Sequence, residues 1–397
     1  MAWIAIRDAL LLLALIPFLY LIVAILAAHR FFRSDPAAAA SSLPERLPAI
    51  SILRPIFGID REAYENYASF CRQEYPEFEM LFCVSDETDP AIPVIRKLIA
   101  DFPQIPMRLL VGSPPLGVSD KVNKLSRMAK EARHDLLLVC DSDVRVEPGF
   151  LRAIAASFAD PAVGGVTCLY RGLTEARASL SADLVALGNS TDFAAGVLVS
   201  RRLSGVNFML GAAMATTKAR LAEIGGFEAL VDHFSDDYEL GNRIARAGHR
   251  VELSRFPVSI VYPRESFAGA FRQQTRWYAS IKHSRRGGHF GLIFTQFLPW
   301  TIVGAALSPF AWMAAAYVGV YLLLRVWMAW AVGVSGMRDD LVRRKFWLLP
   351  LRDAFAFFAW LASFLPRRIN WRGQQFYVRN RRLVPIPPRD APPHGSR

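Results

Sequence analysis

The chain has 397 residues, 53% of them hydrophobic, with a formal net charge of +12 and a mean hydropathy of +0.22. That length holds one large domain or two ordinary ones, and the apolar content exceeds what a water-soluble protein needs, so part of the chain must face lipid. The positive charge lies beside the apolar segments, at Arg30 and Arg33, at Lys282, Arg285 and Arg286, at Arg343 to Lys345 and between Arg367 and Arg382, which favours a membrane surface and argues against nucleic acid as partner.

The run Ala9 to Ala28 is apolar over about the length that crosses a bilayer, and His29-Arg30 and Arg33 follow it at once. Before it, Arg7 is offset by Asp8, so the positive flank is the trailing one. The small residues Pro36 to Ala40 suit a cleaved signal peptide, but the charge polarity opposes cleavage and predicts a retained anchor, residues 1–33, running from outside to cytoplasm. Residues 34–48, rich in Ala, Ser and Pro, read as a linker.

Ile50 to Leu53, Met80 to Val84 and Leu136 to Cys140 read as buried strands, each closed by a turn carrying Pro or Asp, with helix-compatible charged segments between them. This alternation predicts a cytoplasmic α/β domain over residues 49–286 with parallel strands, whose ligands bind beyond the carboxyl ends of those strands. Cys71, Cys83, Cys140 and Cys168 lack metal-ligand spacing and read as small buried hydrophobes, with neither zinc nor a disulfide framework.

Acidic clusters stand at those strand ends. Asp86 and Asp89 follow the Met80 to Val84 strand, where a carboxylate can accept hydrogen bonds from a uracil or ribose; alone, such a pair is more often a turn. Lys121 and Asn123 can meet phosphate and sugar, against the plainer reading of a solvated helix start. Asp141-Ser142-Asp143 leaves the most apolar strand, so one carboxylate can bind ribose or metal and the other metal; a solvated turn is the alternative. Asp236-Asp237 precede a helical stretch and can be ordinary N-caps, yet they follow Gly211 and the Gly225-Gly226-Phe227 turn, where an acceptor site would form. Gln273, Arg276 and Trp277 have helical spacing, with Gln273 and Arg276 on one face. A guanidinium there suits phosphate and an indole suits a sugar or lipid, while an interfacial anchor is the other reading.

Phe290 to Leu307 and Ala311 to Val334 predict a transmembrane hairpin turning at Ser308-Pro309. Phe346 to Leu365 is interrupted by Arg352-Asp353 and flanked by arginines on both sides, which leaves a span and a re-entrant or interfacial segment both open. Residues 366–397 read as a basic tail, disordered from about Pro385.

The ordered set of Asp89, Cys140-Asp141-Ser142, Asp236-Asp237-Tyr238 and Gln273 to Trp277 resembles the inverting glycosyltransferases of the GT-A fold, and most nearly the ceramide glucosyltransferases and the bacterial hopanoid-biosynthesis-associated glycosyltransferases. Ile52 to Pro55 with Gly58, Cys83 to Ile92, and Ile369-Asn370-Trp371-Arg372 extend the resemblance over nearly the whole chain. It implies UDP-sugar contacts around Pro55 and Asp89, ribose and divalent-cation (Mg or Mn) contacts at Asp141 and Asp143, and Asp237 as general base with Asp236 in support; Asp86, Lys121 and Asn123 stand as nucleotide-sugar candidates on their own chemistry. It further implies diphosphate or acceptor contacts at Gln273, Arg276 and Trp277. Two departures stand out: Asp143 occupies a position commonly Gly in ceramide glucosyltransferases, and Leu187 to Asp192 lacks the histidine of the animal enzymes.

The expected reaction is inverting transfer of a hexose or N-acetylhexosamine from a UDP-sugar to a hydroxyl of a membrane lipid, a ceramide-like sphingolipid or a hopanoid, at a bacterial inner membrane. A processive polysaccharide synthase shares the motifs but needs a translocation channel. A polyprenyl-phosphate sugar transferase typically lacks the Gln-x-x-Arg-Trp element. A non-enzymatic membrane scaffold leaves the spaced motifs to coincidence.

Overall fold

A computed structural model of the chain describes residues 1–33, 47–174, 179–365, 369–371 and 374–386, with backbone alone at 369–371, 374 and 375. The expected linker thus lies almost wholly outside the described residues, as do Arg372 and the tail beyond residue 386.

The domain is built on one mixed sheet. Its strands are β1 (Ile50–Pro55), β2 (Phe78–Val84), β3 (Met107–Val111), β4 (Leu136–Cys140), β5 (Val144–Arg145), β6 (Val163–Leu173), β7 (Ala213–Thr217) and β8 (Arg250–Val261), in the order β3-β2-β1-β4-β7-β6-β8-β5. β1, β2 and β4 are buried along their whole length, which is why they read as continuous apolar runs: helices cover both faces of a parallel sheet. β1 pairs in parallel with β2 and β4, setting Pro55 opposite Cys83 and Leu53 opposite Val139. The next neighbour, β7, is antiparallel to β4, with Cys140 opposite Ala213. The exit of β4 therefore meets the entry of β7, where Asp141 N–H donates to the carbonyl of Ala212 at 3.2 Å. The α/β class is as expected, with β4, the last strand of the parallel half and fourth of eight in the sheet, delivering Asp141-Ser142-Asp143 to the crevice. All four cysteines are buried and unbridged.

The anchor is longer than its apolar run suggested. It is helical from Ala2 to Leu13 and from Ile16 to Arg33, together a 32-residue rod. Leu12, Leu19 and Leu26 are 68%, 61% and 63% exposed on one face, while Phe18, Leu21, Ile25 and Ala28 are buried on the other. That is the division of a helix with one side on protein and one on lipid. Its inner side packs against the helices Ala194–Ser204 and Ala311–Ala329, and the Tyr317 hydroxyl donates to the carbonyl of Leu11 at 2.7 Å.

Among the described residues, two helices are long and apolar enough to cross a membrane, Ala2–Arg33 and Ala311–Gly336. A third crossing exists if Arg286–Thr295 and Phe297–Leu307, bent by 50° at their junction, are one span. The third apolar stretch is a single turn, Phe346–Leu348, and a 14-residue helix, Leu349–Ala362. At 1.5 Å per residue it is about 21 Å long, short of a bilayer core of about 30 Å.

The expected basic tail includes a second, three-stranded sheet of Ile369–Trp371, Gln374–Arg379 and Arg382–Pro385. It docks on the loop before Asp236: Phe234 N–H donates to the carbonyl of Arg381 at 3.0 Å and Leu383 N–H to that of Asp232 at 2.8 Å. Phe376 and Leu383 bury beside Phe234.

Candidate active site

Arg54, in the middle of β1's exit half, shapes the Asp141 turn from below. It is fully buried, its guanidinium lies 4.5 Å from the Phe70 ring centroid, and its Nη2 donates to the carbonyls of Asp141, Ser142 and Val144 at 3.0, 3.2 and 3.3 Å. One cation thus gathers the carbonyls of the turn inward. Lys121, in the first turn of the helix Asp120–Glu131, reaches in from above, its Nζ 2.6 Å from Asp141 Oδ1. Burial would lower the Lys121 ammonium, but Asp141, Asp236 and Asp237 outweigh it and hold its pKa above the ordinary value.

The carboxylates are in excess. Burial first, then Asp141 and Asp60, push Asp143 up to about 7. Asp60, in the loop after β1, is also raised by burial, and its Oδ2 is buried with no hydrogen-bond partner. Asp60, in Asp60-Arg61-Glu62, was not singled out from the sequence, because nothing local shows that this turn folds back beside Asp143.

Asp237 faces Asp141 across the β4–β7 junction. It sits in the first turn of the helix Asp236–Arg246, where Oδ2 accepts from Gly211 N–H at 3.0 Å and Oδ1 from Tyr238 N–H at 2.7 Å. A Cβ at Gly211 would lie 3.1 Å from Oδ2, so glycine permits this approach. Burial, and then Asp236, push Asp237 up to about 6, against the pull of Lys121.

Asp237 also lines a cavity of about 540 Å³ that runs from the β4–β7 junction toward the apolar helices. Trp277 and Gln274 wall it on the helix Phe267–Ser284, Tyr20 on the anchor, and Met328 and Ala356 on the C-terminal helices. Asp192, Arg352 and Asp353 line the same cavity and form a buried charge network with Arg325. Asp192 accepts from Arg325 Nη2 at 2.5 Å and from Arg352 Nε at 2.9 Å; Asp353 accepts from Arg325 Nε at 3.0 Å, Arg325 Nη2 at 2.8 Å and the Tyr321 hydroxyl at 2.8 Å. Arg352 Nη1 donates to Gln274 Oε1 at 3.0 Å, tying the network to the helix of Trp277. Asp192 lies in a π-turn, Asn189–Phe193, a distortion often found at functional sites.

The structure therefore brings Lys121, Asp141, Asp143, Asp236 and Asp237 together and sets Trp277 on the adjoining cavity, but it engages other expected residues elsewhere. Asp86 is exposed and closes its own turn onto Thr88. Asp89 accepts from Gly58 N–H at 3.0 Å and Ala91 N–H at 2.9 Å, fastening the loop after β1 to the following helix. Asn123 is bonded through both side-chain atoms to the backbone of Gly117, at 3.3 and 3.1 Å. Pro55 ends β1 inside the sheet. Gln273 and Arg276 share a face as expected, but Gln274 and Trp277 are the pair on the cavity. Among the described residues no three His, Cys, Asp or Glu side chains are grouped so as to hold a metal ion by themselves.

The family model of glycosyl transferase family 21 matches residues 9–384. Ceramide glucosyltransferase 1 of Caenorhabditis elegans is 29% identical over 232 residues, 58% of this chain and 49% of that protein. The ceramide glucosyltransferase of Gibberella zeae is 32% identical over 151 residues, 35% of this chain and 29% of that one. The chain spans about half the length of the first of these relatives. A solved mannosyltransferase from Pyrobaculum calidifontis, in complex with GDP-Man and Mn2+, superposes with a TM-score of 0.46 at 17% identity, covering 89% of this chain and 99% of that one.

Proposed function

The chain belongs to glycosyl transferase family 21, and from that premise we propose that it moves a hexose or N-acetylhexosamine from a UDP-sugar to a hydroxyl of a membrane lipid, a ceramide-like sphingolipid or a hopanoid. The observation that carries the reading is the cavity of about 540 Å³, whose lining joins Asp237 and Trp277 to Tyr20, Met328 and Ala356 of the apolar helices. It offers a lipid tail an apolar path and its head a carboxylate.

Asp237 takes the proton of the acceptor hydroxyl, whose oxygen forms a bond to the anomeric carbon as the bond from that carbon to UDP breaks. No covalent intermediate on the protein is required. Lys121, held between Asp141 and the Asp236-Asp237 pair, places a positive charge where the diphosphate departs. Arg54 keeps the Asp141 turn fixed beneath it.

Asp141 and Asp143 suit a divalent cation: they are hard oxygen donors, and Asp143 lacks enough positive charge to stay ionised in its buried place. Because no three side chains among the described residues form a closed set, diphosphate oxygens would complete the shell, as is usual for Mg2+. The cation, when bound, neutralises charge on the departing UDP.

The test is full-length protein in nanodiscs, incubated with UDP-glucose, UDP-galactose, UDP-glucuronate and UDP-N-acetylglucosamine beside ceramide and hopanoid lipids, with products identified by mass. A glycolipid is expected from one donor, and chelation should stop its formation. Release of free sugar alone, or growth of a soluble polymer, would sink the reading.

The pH profile follows from the carboxylates. Asp237 must be ionised to accept a proton, and its raised pKa of about 6 means that kcat falls as pH drops through 6. With Asp143 near 7 in the absence of a cation, protons compete with metal below that value, so the metal concentration for half-maximal activity should rise as pH falls from 8 to 6. A rate independent of pH between 5 and 8 would remove Asp237 from the proton transfer.

A further inference from the structure

Besides Asp237, the cavity of about 540 Å³ holds a second polar group that opens into it. Asp192, Gly196 and Ser200 stand at four-residue steps and all line it, so one face of the chain, from the π-turn into the helix Ala194–Ser204, is turned inward. The Asp192 side chain is 21% exposed, while those of Arg325 and Arg352, which hold it, are 1% and 3% exposed. The carboxylate is thus the open end of the charge network. Its Oδ1 accepts from Arg325 Nη2 at 2.5 Å and from the Thr191 hydroxyl at 2.9 Å. Its Oδ2, among the described residues, accepts from Arg352 Nε alone, at 2.9 Å. A carboxylate takes about four hydrogen bonds, so Oδ2 keeps room for one more donor.

The anchor supplies an adjoining group. Tyr20 lines the same cavity from the helix Ile16–Arg33, and an added Cβ at Gly196 would lie 3.7 Å from its hydroxyl oxygen. Gly196 is four residues past Asp192, and side chains so spaced stand about 5–6 Å apart, which puts the phenol near the carboxylate. The Tyr20 ring adjoins Phe297, with centroids 5.9 Å apart, and among the described residues its hydroxyl has no hydrogen-bond partner. A tyrosine hydroxyl shielded from water usually finds one. Charge limits what fills the place: Asp192 and Asp353 balance Arg325 and Arg352, so the network calls for a neutral hydrogen-bonding group and not for an ion.

We propose that Asp192 and Tyr20 form a second subsite, which reads an N–H or O–H of the acceptor lipid other than the hydroxyl that is glycosylated. The proposal rests on the transfer reading above and narrows its acceptor by chemistry. Asp192 Oδ2 accepts from the lipid, and the Tyr20 hydroxyl, able to donate or accept, meets a neighbouring polar atom. A ceramide, with an amide and a second hydroxyl, qualifies, and so does a hopanoid with several hydroxyls. A lipid with one hydroxyl and no other donor leaves the subsite unpaired, which is how a polar site rejects an analogue. Through Tyr20 the membrane anchor becomes part of the acceptor site.

Full-length protein in detergent, given ceramide, a hopanoid with several hydroxyls or 1,2-diacylglycerol and read by native mass spectrometry without UDP-sugar, tests the subsite. The wild type should retain one of the first two about tenfold or more over diacylglycerol, the worth of a hydrogen bond to a charged group. Y20F removes one oxygen and keeps the ring beside Phe297, and it should lower that preference; Y64F, a phenol outside the cavity, should not. A photoreactive form of the preferred lipid on the wild type should label residues 16–24 or 189–200, which decides the matter even where Y20F fails to fold. Equal retention of all three lipids, an unchanged preference in a folded Y20F, or labelling confined to other segments overturns the proposal. With UDP-sugar added, transfer to diacylglycerol as fast as to the other lipids also overturns it while the transfer reading stands. A preference that Y20F abolishes, with no transfer to any lipid, upholds the subsite and sinks the transfer reading instead.

Discussion

Asp237→Asn is expected to lower kcat by about 10²- to 10⁴-fold, the usual worth of a positioned general base, with the Kd for UDP-sugar unchanged. Asparagine keeps the shape of the side chain but cannot take the acceptor proton. It also has one acceptor oxygen where Asp237 serves two backbone donors, Gly211 N–H and Tyr238 N–H. One of these loses its partner, at about 1–3 kcal/mol of stability, so rates must be compared well below the Tm of the variant. Among the described residues Asp236 makes no such pair of contacts, and it acts on Asp237 through charge; Asp236→Asn should cost about tenfold, as supporting carboxylates do. If Asp236→Asn is the inactive variant and Asp237→Asn turns over normally, the roles are reversed.

Arg325→Met is expected to destabilise the protein by about 3–5 kcal/mol, because breaking a buried pair strands the remaining charge. The side chains of Arg325 and Asp353 are 1% and 4% exposed, and without Arg325 the Tyr321 hydroxyl is, among the described residues, the one side chain still donating to Asp353. Asp192 is less affected, since Arg352 Nε remains on it. Replacing both partners, in R325M/D353L, should recover most of the loss, as an apolar pair of similar volume removes the desolvation cost. Thermal unfolding in nanodiscs reads both variants; a single variant as stable as the wild type, or a double variant no better than the single, would show that the pair is solvated.

The strands were legible because burial on both faces leaves a plain signature, the unbroken apolar runs of β1, β2 and β4. The residues at their exits were legible as chemistry but not as geometry. Asp89 and Asn123 have the right types in the right places, yet nothing local reveals that their oxygens are occupied by the backbone of Gly58 and Gly117. In Gln273-Gln274, helical spacing was clear, but which of two adjacent glutamines turns inward depends on Arg352, 78 residues away. Arg54 was noted only as part of a motif, because its role is to hold carbonyls about 90 residues on. Arg325, alone among apolar neighbours, carried the clearest unused signal, since an ionisable residue in such a stretch is functional or paired by default.

The three-stranded sheet of residues 369–385 bears on how the protein is made. The loop before Asp236 receives its backbone partners from Arg381 and Leu383, and Arg381 reaches Glu239 across 142 residues of sequence. The bent pair Arg286–Thr295 and Phe297–Leu307 and the helix Ala311–Gly336 lie between the two. On a ribosome at a membrane, the sheet from β1 to β8 can close around Asp141 while those segments are still being translated. The brace on Asp236 and Asp237 comes only after they have been delivered to the bilayer. A chain stalled in insertion therefore holds a finished crevice at Asp141 beside an unfinished loop, so biogenesis itself orders the two halves of the site.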